Sequence, residues 1–480
     1  MRILLVRPER GSLRGLEANA LVEPLGLETL AGGLRMYQVA IADLRLNDRL
    51  ADYLRYHRPQ LCGIGCSFTS EAGTALQAAR QVKSLLPTCK VVVGGHHASL
   101  WPLDFADPAV DGIVVGEAEQ TMLMVARAIE GEVPLSEVAG VITNTGDGQV
   151  LSPKLHPEIE QLDLLPLPYR EPIRHHLHRF YMGYQRPTAL LESARGCPFR
   201  CKFCAVWKFY QGQVRQKSVE RVVEELQAIE APHVFITDDN FPHDASRVHL
   251  LADRLLQLGI RKSFTFQART DAIADHPDLV EHWAQVGPTS VFLGLEQVTL
   301  EGLRQLRKGS TPEKNDKALQ VLAKHGVTYS GNLMVDPRAT VEDFIALREY
   351  VASRGLRNAS FSIVTPLPGT ELFEEMKNEL TEGNAALYDL FHAVTATALP
   401  LPEFYAEFAA LWREVHRLQS QPRPRRAGRL LWGLARGKVR LSDLRRGMNV
   451  AKQLSNPALF LRDHELHSRP LKPGQPLRFT

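Results

Sequence analysis

The chain has 480 residues, which is enough for two or three domains with separate hydrophobic cores. Hydrophobic residues make up 44% and charged residues 23% of it, as in ordinary globular proteins, and the net charge of +3 comes from 57 basic and 54 acidic residues. The composition is therefore that of a soluble globular protein, and the net charge says little about partners. The start shows no secretory signal, and no uncharged apolar run reaches about 18 residues, so we expect a cytoplasmic protein.

The first 140 residues alternate apolar runs with helical patterns. The runs RILLV, LCGIGCS, KVVVGG and GIVVGE are typical of buried strands that end in small residues. Their alternation with helices predicts an α/β domain over residues 1–140 with a doubly wound, Rossmann-like parallel sheet. Such sheets bind ligands at the carboxyl ends of their strands, where small residues let a large molecule approach the backbone. The candidate cleft residues are Ser67, Thr69, Gly94, Gly95, Gly116 and Glu117.

Residues 141–185 are rich in proline and lack periodicity, which indicates a linker that crosses a surface. His175, His176 and His178 are metal ligands in principle. No carboxylate or thiolate stands beside them in sequence at ligand spacing, so we favour a solvated or hydrogen-bonded linker.

A second alternating stretch begins at TALLESARG and predicts a domain over residues 186–372. Six βα units fit a partial (β/α)6 barrel of the TIM type, whose active site lies at the carboxyl ends of its strands. Residues 373–480 are expected to form a mainly helical C-terminal region that covers the substrate or contacts a membrane surface. The polar residues that follow the predicted barrel strands are Asp238, Asp239, Asn240, Arg269, Glu296 and Asn332.

Three of the six cysteines lie in RGCPFRCKFC, spaced Cys197-x3-Cys201-x2-Cys204. A structural zinc site takes four protein ligands and a disulfide takes two, whereas three thiolates can hold a 4Fe–4S cluster and leave its fourth iron open. The other three cysteines fall in strand or helix patterns of the first domain and are interpreted as small buried thiols. The triad is the strongest functional signal in the chain.

The triad, with Phe203 before its last cysteine and a parallel barrel behind it, resembles the radical S-adenosylmethionine superfamily over about residues 188–370. The resemblance implies that the open iron binds S-adenosylmethionine and that one electron cleaves it to a 5′-deoxyadenosyl radical. It also implies roles for individual residues. Residues 238–240 would meet the methionine amino group, and Arg269 and Glu296 the carboxylate and ribose. Phe203, Asn332 and Val327 would surround the adenine.

The first domain resembles the cobalamin-binding domain of one branch of that superfamily, on the motifs GCSFT and VVVGGHHAS. Related cobalamin domains carry Asp-x-His-x-x-Gly, whose histidine ligates cobalt. The corresponding stretch here is LVEPLG, in which Gly26 is kept, Leu21 replaces the aspartate and Glu23 replaces the histidine. We therefore expect base-off cobalamin without a histidine ligand, and we interpret His96 and His97 as residues that line the pocket.

Together the two resemblances imply a cobalamin-dependent radical S-adenosylmethionine methylase that methylates an unactivated carbon. EPLGLE, CAVWKFYQGQVRQKS and HAVTATALPLPEFY resemble the hopanoid C-3 methylases, and bacteriochlorophyll side-chain methylases share much of this pattern. Hopanoid C-3 methylation is the favoured activity. A methylase or oxidative cyclase acting on a tetrapyrrole is the alternative, and a cobalamin sensor or a zinc module is a weaker one. The family implies an electron donor such as flavodoxin or ferredoxin.

Residues 421–452 contain ten basic residues against one acid, Asp443, with apolar residues interleaved. Such a segment can lie on an anionic membrane surface at the inner face of the membrane, and a solvated helix packed on the barrel is an equally good interpretation. Nucleic acid is a weaker candidate because no RNA-binding module accompanies the basic residues.

Overall fold

The computed structural model describes residues 1–14, 20–143, 159–421, 440–471 and 478–480. Its strands are β1 (Arg2–Arg7), β2 (Ala20–Leu21), β3 (Gln38–Asp43), β4 (Leu61–Gly65), β5 (Lys90–Gly94), β6 (Gly112–Val114), β7 (Val141–Thr143), β8 (Tyr181–Met182), β9 (Thr188–Leu191), β10 (Ala194–Arg195), β11 (Arg215–Gln216), β12 (His233–Ile236), β13 (Ser263–Arg269), β14 (Thr289–Glu296), β15 (Thr328–Val335) and β16 (Ala359–Ile363). Its helices are α1 (Leu25–Gly33), α2 (Leu50–His57), α3 (Ala72–Leu85), α4 (His96–Leu100), α5 (Ala118–Ile129), α6 (Val206–Phe209), α7 (Val219–Ala228), α8 (Ala245–Gln257), α9 (Thr270–Asp275), α10 (Pro277–Val286), α11 (Leu300–Gln305), α12 (Pro312–Lys324), α13 (Val341–Ser353), α14 (Glu371–Met376), α15 (Leu401–Ser420), α16 (Leu441–Leu454) and α17 (Pro457–His467).

The N-terminal sheet has the strand order β3-β1-β4-β5-β6-β7, in which only β7 runs antiparallel to its neighbour. Successive residues of β1 enter different cores. Leu4 and Val6 belong to one hydrophobic cluster, and Ile3 and Leu5 to another. Because side chains alternate across a strand, these two clusters lie on opposite faces of the sheet. The predicted doubly wound α/β domain is confirmed.

The second sheet has the strand order β16-β15-β14-β13-β12-β9, and all its described pairings are parallel. Helices α7, α8, α10, α12 and α13 alternate with these strands along the chain. One large core lies between the strands and helices, built around aromatic residues such as Phe264 and Trp283. The expected six parallel βα units are present, and their carboxyl ends share one edge of the sheet.

The C-terminal region packs against both sheets. Helix α15 contributes Phe404, Phe408 and Trp412 to the core of the second sheet. Val394 and Phe479 instead belong to a core of the N-terminal sheet, where the Phe479 backbone N–H donates to Asp104 (2.8 Å). The mainly helical character is as expected, but the region 373–480 bridges the two domains. The predicted domain boundaries stay predictions.

The part of the expected linker that the structure describes, residues 141–143 and 159–185, is more ordered than its composition suggests. A 3-10 helical segment over Glu171–Arg179 buries Ile173 completely, and the short strand β8 pairs with β2 of the N-terminal domain. Among the described helices, none combines the length and hydropathy that a bilayer-spanning segment needs. Most of the basic stretch, residues 422–439, lies outside the described residues and includes Arg423, Arg425, Arg426, Arg429, Arg436 and Lys438.

Candidate functional site

The three clustered cysteines lie on the loop between β10 and α6, at the carboxyl edge of the second sheet. Gly196 opens the loop with φ +89°, and a Cβ there would lie 2.0 Å from the Gln213 carbonyl oxygen, so only glycine fits. The Trp207 indole N–H donates to the Cys201 carbonyl (3.0 Å), and the Cys204 N–H donates to the same oxygen (3.2 Å). These bonds turn the backbone so that the cysteines lie along one curved loop.

The chemistry of this loop fits an iron–sulfur cluster better than a single zinc ion. The donor set is three thiols on one short loop. A structural zinc ion takes four protein ligands, whereas three thiolates can hold a 4Fe–4S cluster and leave its fourth iron open. Burial raises the pKa of the Cys197 thiol, and it raises the pKa of Cys204 to about 12. Both thiols therefore ionise readily only when a metal centre replaces the proton.

Arg269 is bound to the cysteine loop itself. Its Nη1 lies 3.6 Å from Cys201 Sγ, and its guanidinium stacks on the Phe199 ring at 3.5 Å. Asp271 pairs with the other side of the guanidinium (2.8 Å), and the Lys308 carbonyl also accepts from it (2.5 Å). The structure thus gives Arg269 a role beside the cluster ligand, and its expected contact with a carboxylate of S-adenosylmethionine stays a prediction.

The two aspartates that follow β12 differ in their surroundings, since one is bound by the protein itself and the other is freer to meet a ligand. Asp238 accepts from the Ser193 and Ala194 backbone N–H groups (2.7 and 3.0 Å) and from the Ser193 hydroxyl (2.5 Å), so its carboxylate holds the strand before the cysteine loop. Burial, together with repulsion by Asp238, raises the pKa of Asp239 to about 7. Asp239 is the freer of the two carboxylates for the amino group predicted there.

Asn240 carries a buried donor without a partner. Its Oδ1 accepts from the Arg269 backbone N–H (3.1 Å), whereas its Nδ2 has no hydrogen-bond partner among the described residues. Buried polar groups are nearly always paired, so an orphaned amide at the strand ends suits a polar ligand such as S-adenosylmethionine.

Glu296 ends β14 in the left-handed region, with φ +60°. Lys308 Nζ donates to one of its oxygens (2.7 Å) and Asn332 Nδ2 lies 3.4 Å from the other. Asn332 also donates to the Ser362 hydroxyl (3.2 Å), which joins β14, β15 and β16 at their carboxyl ends. The structure brings Glu296 and Asn332 together as expected, in a conformation whose strain is typical of functional sites.

The three residues expected around adenine are not all in one place. Phe203 packs against a small apolar cluster that includes Met334 and Val364, close to the strand ends. Val327 instead precedes β15 at the amino end of the strand and lies in the core of the second sheet. The expectation for Val327 is wrong, because the loop before a parallel strand lies at the opposite edge of the sheet from the site.

The cleft residues of the N-terminal sheet lie where the sequence places them. A Cβ on Gly95 would lie 2.5 Å from the Cys66 carbonyl oxygen, and the φ of +112° also requires glycine. Gly94 ends β5 next to it and Gly116, with φ +82°, follows β6. The Ser67 backbone N–H donates to Glu71 (3.1 Å). A Cβ on Gly116 would meet nothing within 4 Å, so a large ligand can approach the backbone there, which fits the nucleotide tail of cobalamin that the resemblance implies at these strand ends.

The two histidines after Gly95 differ in their surroundings. His97 is buried and uses both ring nitrogens, one with the Thr69 hydroxyl (3.2 Å) and one with Asp104 (2.9 Å). His96 stacks against Phe209 of the cysteine loop region, with ring centroids 4.1 Å apart. Through these two hydrogen bonds, His97 stabilises the residues behind the cleft. His96 lies between the two predicted cofactor sites.

Two arginines of the second domain donate hydrogen bonds to the Glu117 carboxylate. It accepts from Arg195 (2.7 Å) and from Arg215 (2.7 and 3.0 Å). Burial alone would raise the pKa of Glu117, but the hydrogen bonds from the two arginines lower it. Glu117 thus joins the domains, and its predicted contact with cobalamin stays untested.

Glu23 occupies the position at which related cobalamin domains carry a histidine. Its carboxylate also has hydrogen-bond partners within the protein. It accepts from Arg170 (2.9 Å) and from the Leu190 backbone N–H (2.7 Å) and is 2% exposed. Sequence reasoning missed Arg195, Lys308 and Arg170, which hold these acids. Their partners are distant in sequence, so no local pattern could have found them.

Two family models match the chain. The Radical SAM superfamily model matches residues 191–351, and the B12 binding domain model matches residues 11–126. The first covers the cysteine loop and β10 to β15, and the second covers the glycine-lined cleft. The matches support a 4Fe–4S cluster and S-adenosylmethionine in the second domain and cobalamin in the first.

Solved structures of similar fold contain the same pair of domains. The cobalamin-dependent S-adenosylmethionine radical enzyme OxsB, with aqua-cobalamin and S-adenosylmethionine bound, gives a TM-score of 0.70 at 17% identity and covers 97% of this chain and 74% of its own. The radical S-adenosylmethionine methyltransferase TsrM of Kitasatospora setae gives a TM-score of 0.69 at 17% identity, over 86% and 90%. These likenesses establish the fold.

Curated relatives extend over nearly the whole chain. The anaerobic magnesium-protoporphyrin IX monomethyl ester cyclase of Rubrivivax gelatinosus is 26% identical over 401 residues, which is 79% of this chain and 71% of the relative. The hopanoid C-3 methylase of Methylococcus capsulatus is 31% identical over 460 residues, which is 92% of this chain and 86% of the relative. The chain therefore belongs to the family of cobalamin-binding radical S-adenosylmethionine enzymes that includes this hopanoid C-3 methylase.

Proposed function

We propose that the chain is a radical C-methyltransferase that methylates a hopanoid at C-3. The observation that carries the proposal is the continuous similarity to hopanoid C-3 methylase, which includes the C-terminal region as well as both cofactor domains. The tetrapyrrole alternative rests on relatives of lower identity, such as the cyclase of Rubrivivax gelatinosus, that align over less of the chain. It is the less supported of the two.

The cofactors and the chain divide the reaction between them. When bound, the cluster and S-adenosylmethionine supply hydrogen-atom abstraction from an unactivated carbon, and cobalamin supplies the methyl group. Cys197, Cys201 and Cys204 would hold the cluster, and Arg269 would donate to one of their thiolates. The ion pair between Arg195 and Glu117 would keep the two cofactor domains at a fixed separation.

We expect cobalamin to be bound base-off, without an imidazole from the protein on cobalt. Glu23 is held by Arg170, and both nitrogens of His97 have partners. The His96 ring packs against the Phe209 ring, with centroids 4.1 Å apart. These contacts support the expectation made from LVEPLG.

The surface beside the cysteine loop suits an acidic one-electron donor of the flavodoxin or ferredoxin type. Arg200 and Lys208 are exposed, and they lie 5.8 and 4.9 Å from the Trp207 ring centroid. Trp207 in turn donates to the Cys201 carbonyl. Two exposed cations beside a ring that touches a cluster ligand give the charge complementarity that such a donor needs.

Peripheral contact with the inner face of a cytoplasmic membrane is a further part of the proposal. Helix α16 exposes Leu441 (65%) and Met448 (63%), with Arg445 and Lys452 exposed on the same side at spacings of three or four residues. An apolar and basic helix face suits an anionic bilayer surface, where a hopanoid substrate resides.

The test is mass spectrometry of lipids from a hopanoid-producing host with and without this chain. A gain of one methyl group on the A ring is expected, and it should disappear in Cys197→Ala. Unmethylated hopanoids, despite a loaded cluster and bound cobalamin, would overturn the substrate assignment. The same extracts should then be searched for methylated or cyclised tetrapyrroles.

A further inference from the structure

A second group of ligand-type side chains lies outside the cofactor sites. The 3-10 segment Glu171–Arg179 places His176 Nε2 2.9 Å from Asp48 Oδ1, across 128 residues of sequence. The His175 ring lies 3.9 Å from the His176 ring, between centroids. One ligand atom from each of Asp48, His175 and His176 falls within 4.8 Å of the other two. The carboxylate that the sequence appeared to lack beside these histidines comes from the loop after β3.

The carboxylate of this group is oriented by its own surroundings. Asp48 Oδ2 accepts from the Asp43 backbone N–H (3.0 Å) and from the Tyr53 hydroxyl (3.2 Å). Burial raises the pKa of Tyr53, so its hydroxyl stays a donor. The second oxygen, Oδ1, is thereby turned toward the imidazoles. Outer hydrogen bonds of this kind orient the ligands in protein metal sites.

The donor set has a defined chemical preference. Two imidazoles and one carboxylate suit zinc and the neighbouring divalent transition ions, whereas calcium and magnesium prefer oxygen ligands alone. A tetrahedral ion with bonds of about 2.0–2.1 Å needs ligand atoms about 3.3 Å apart, close to the spacing of His176 and Asp48.

The fourth position of the group is open to solvent. His175 is exposed and can rotate toward an ion, while His176 is buried and fixed. His178 is exposed and stands three residues after His175. Side chains three residues apart eclipse one another in a 3-10 helix, so His178 or a water molecule can complete the coordination.

We propose that Asp48, His175 and His176 bind one divalent transition-metal ion of the zinc type. The ion takes the place of the proton between Asp48 and His176. It cross-links the segment 171–179, which leads to the second domain, to the loop after β3 of the cobalamin-binding sheet. The site shares no residue with the cysteine loop. The competing interpretation is a simple ion pair of His176 with Asp48 that binds no metal.

The test uses the full, tag-free chain, purified anaerobically with its cluster loaded and then treated with a mild chelator. Zn²⁺ is titrated by calorimetry, and retained zinc is counted by mass spectrometry after gel filtration. The matched variants are His175→Ala at the exposed ligand, Asp48→Asn at the carboxylate, and His276→Ala at an exposed histidine elsewhere. Zn²⁺ binding to vacant cluster cysteines is excluded by repeating the titration in a Cys197→Ala, Cys201→Ala, Cys204→Ala chain.

We expect one zinc per chain in both backgrounds. His175→Ala and Asp48→Asn should each weaken binding at least about tenfold, as loss of a ligand or its orientation does elsewhere, and His276→Ala should leave it unchanged. Zn²⁺ should raise the melting temperature of the parent chain but not of His175→Ala. Co²⁺ in the chain that lacks the three cluster cysteines should show visible bands of tetrahedral coordination. Binding that survives both ligand variants, or no zinc binding at micromolar concentrations, would overturn the proposal.

Discussion

Arg195 Nη1 lies 2.7 Å from Glu117 Oε1, and this contact joins the cysteine loop directly to the end of β6 in the cobalamin-binding domain. Arg195 precedes Cys197 by two residues and is 6% exposed. Arg215 binds the same carboxylate, while Glu119 and Glu192 share Arg195. The relative placement of the two cofactor sites therefore depends on a buried network of charges.

Glu117→Gln should destabilise this network. The substitution keeps the size of the side chain but removes the negative charge that pairs with the two buried guanidinium groups of Arg195 and Arg215. Breaking a buried ion pair costs about 3–5 kcal/mol. We expect the free energy of unfolding, measured by urea denaturation, to fall by about 3 kcal/mol. Glu130→Gln is the matched control because the Glu130 side chain is 39% exposed. Equal stability of the two variants would contradict a structural role for Glu117.

The same variant should uncouple the two cofactors. If the ion pair sets their separation, Glu117→Gln should still cleave S-adenosylmethionine but transfer fewer methyl groups per cleavage. The ratio of 5′-deoxyadenosine to methylated product, measured by mass spectrometry, should rise several-fold. An unchanged ratio would show that other contacts fix the separation.

Gly95→Ala should impair the cobalamin cleft. Its φ of +112° and the 2.5 Å approach of a Cβ to the Cys66 carbonyl oxygen both oppose a side chain. Backbone strain of this kind costs about 1–3 kcal/mol, so we expect lower stability together with loss of cobalamin after gel filtration, followed by its absorbance.

The control for this change is Gly73→Ala, on the exposed side of α3, where a Cβ meets nothing within 4 Å. Alanine in a helix is favoured over glycine by about 0.5–1 kcal/mol, so this variant should be slightly more stable and keep its cobalamin. Normal cobalamin retention by Gly95→Ala would mean that the cleft tolerates a methyl group.

Local pattern was enough to predict both sheets, the cysteine loop and the glycines of the cleft. These features follow from alternation of apolar runs, from cysteine spacing and from small residues at strand ends. The distant partners of the acids were not predictable, since Glu117, Glu23 and Asp48 each bind a group 42 or more residues away. The expectation that Val327 lies beside the adenine was wrong for a related reason. Val327 stands one residue before β15 begins, so it lies at the amino edge of the sheet, away from the site.

Arg269→Lys should change the cluster without removing it. Lysine keeps the charge but loses the planar stack on Phe199 and the donor 3.6 Å from Cys201 Sγ. Hydrogen bonds to cluster sulfurs raise the reduction potential, so its value should become more negative by an amount on the order of tens of mV. An anaerobic redox titration followed by electron paramagnetic resonance measures this. Arg304→Lys, on the exposed face of α11, should leave the potential unchanged.

His392 should make the stability of the chain pH-dependent. Burial alone would lower its pKa, but Asp389 (2.9 Å) and Asp463 (3.3 Å) outweigh it and raise the pKa of His392 to about 9. The unfolded value is about 6.5, so the imidazolium stabilises the folded state fully below pH 6.5, and this contribution is lost as pH rises through 9. The loss between pH 6.5 and 8.5 should be about 2 kcal/mol, since each pKa unit is worth about 1.4 kcal/mol.

Urea denaturation at several pH values in this range tests the effect, with His392→Gln as the comparison. The neighbouring His464, whose pKa burial and His392 lower to about 4, is neutral in the folded chain throughout the window. It adds only a small gain of stability just above pH 6.5, where the unfolded imidazole loses its proton. Buried thiols such as Cys89, whose pKa burial raises to about 11, add a similar loss of stability only near and above the ordinary thiol pKa. Asp239, whose pKa is raised to about 7, lowers the stability of both proteins by about 1 kcal/mol as it ionises in this range. The parent chain should therefore lose about 2 kcal/mol more stability than His392→Gln between pH 6.5 and 8.5. Parallel curves for the two proteins would show that His392 is not charged in the folded chain.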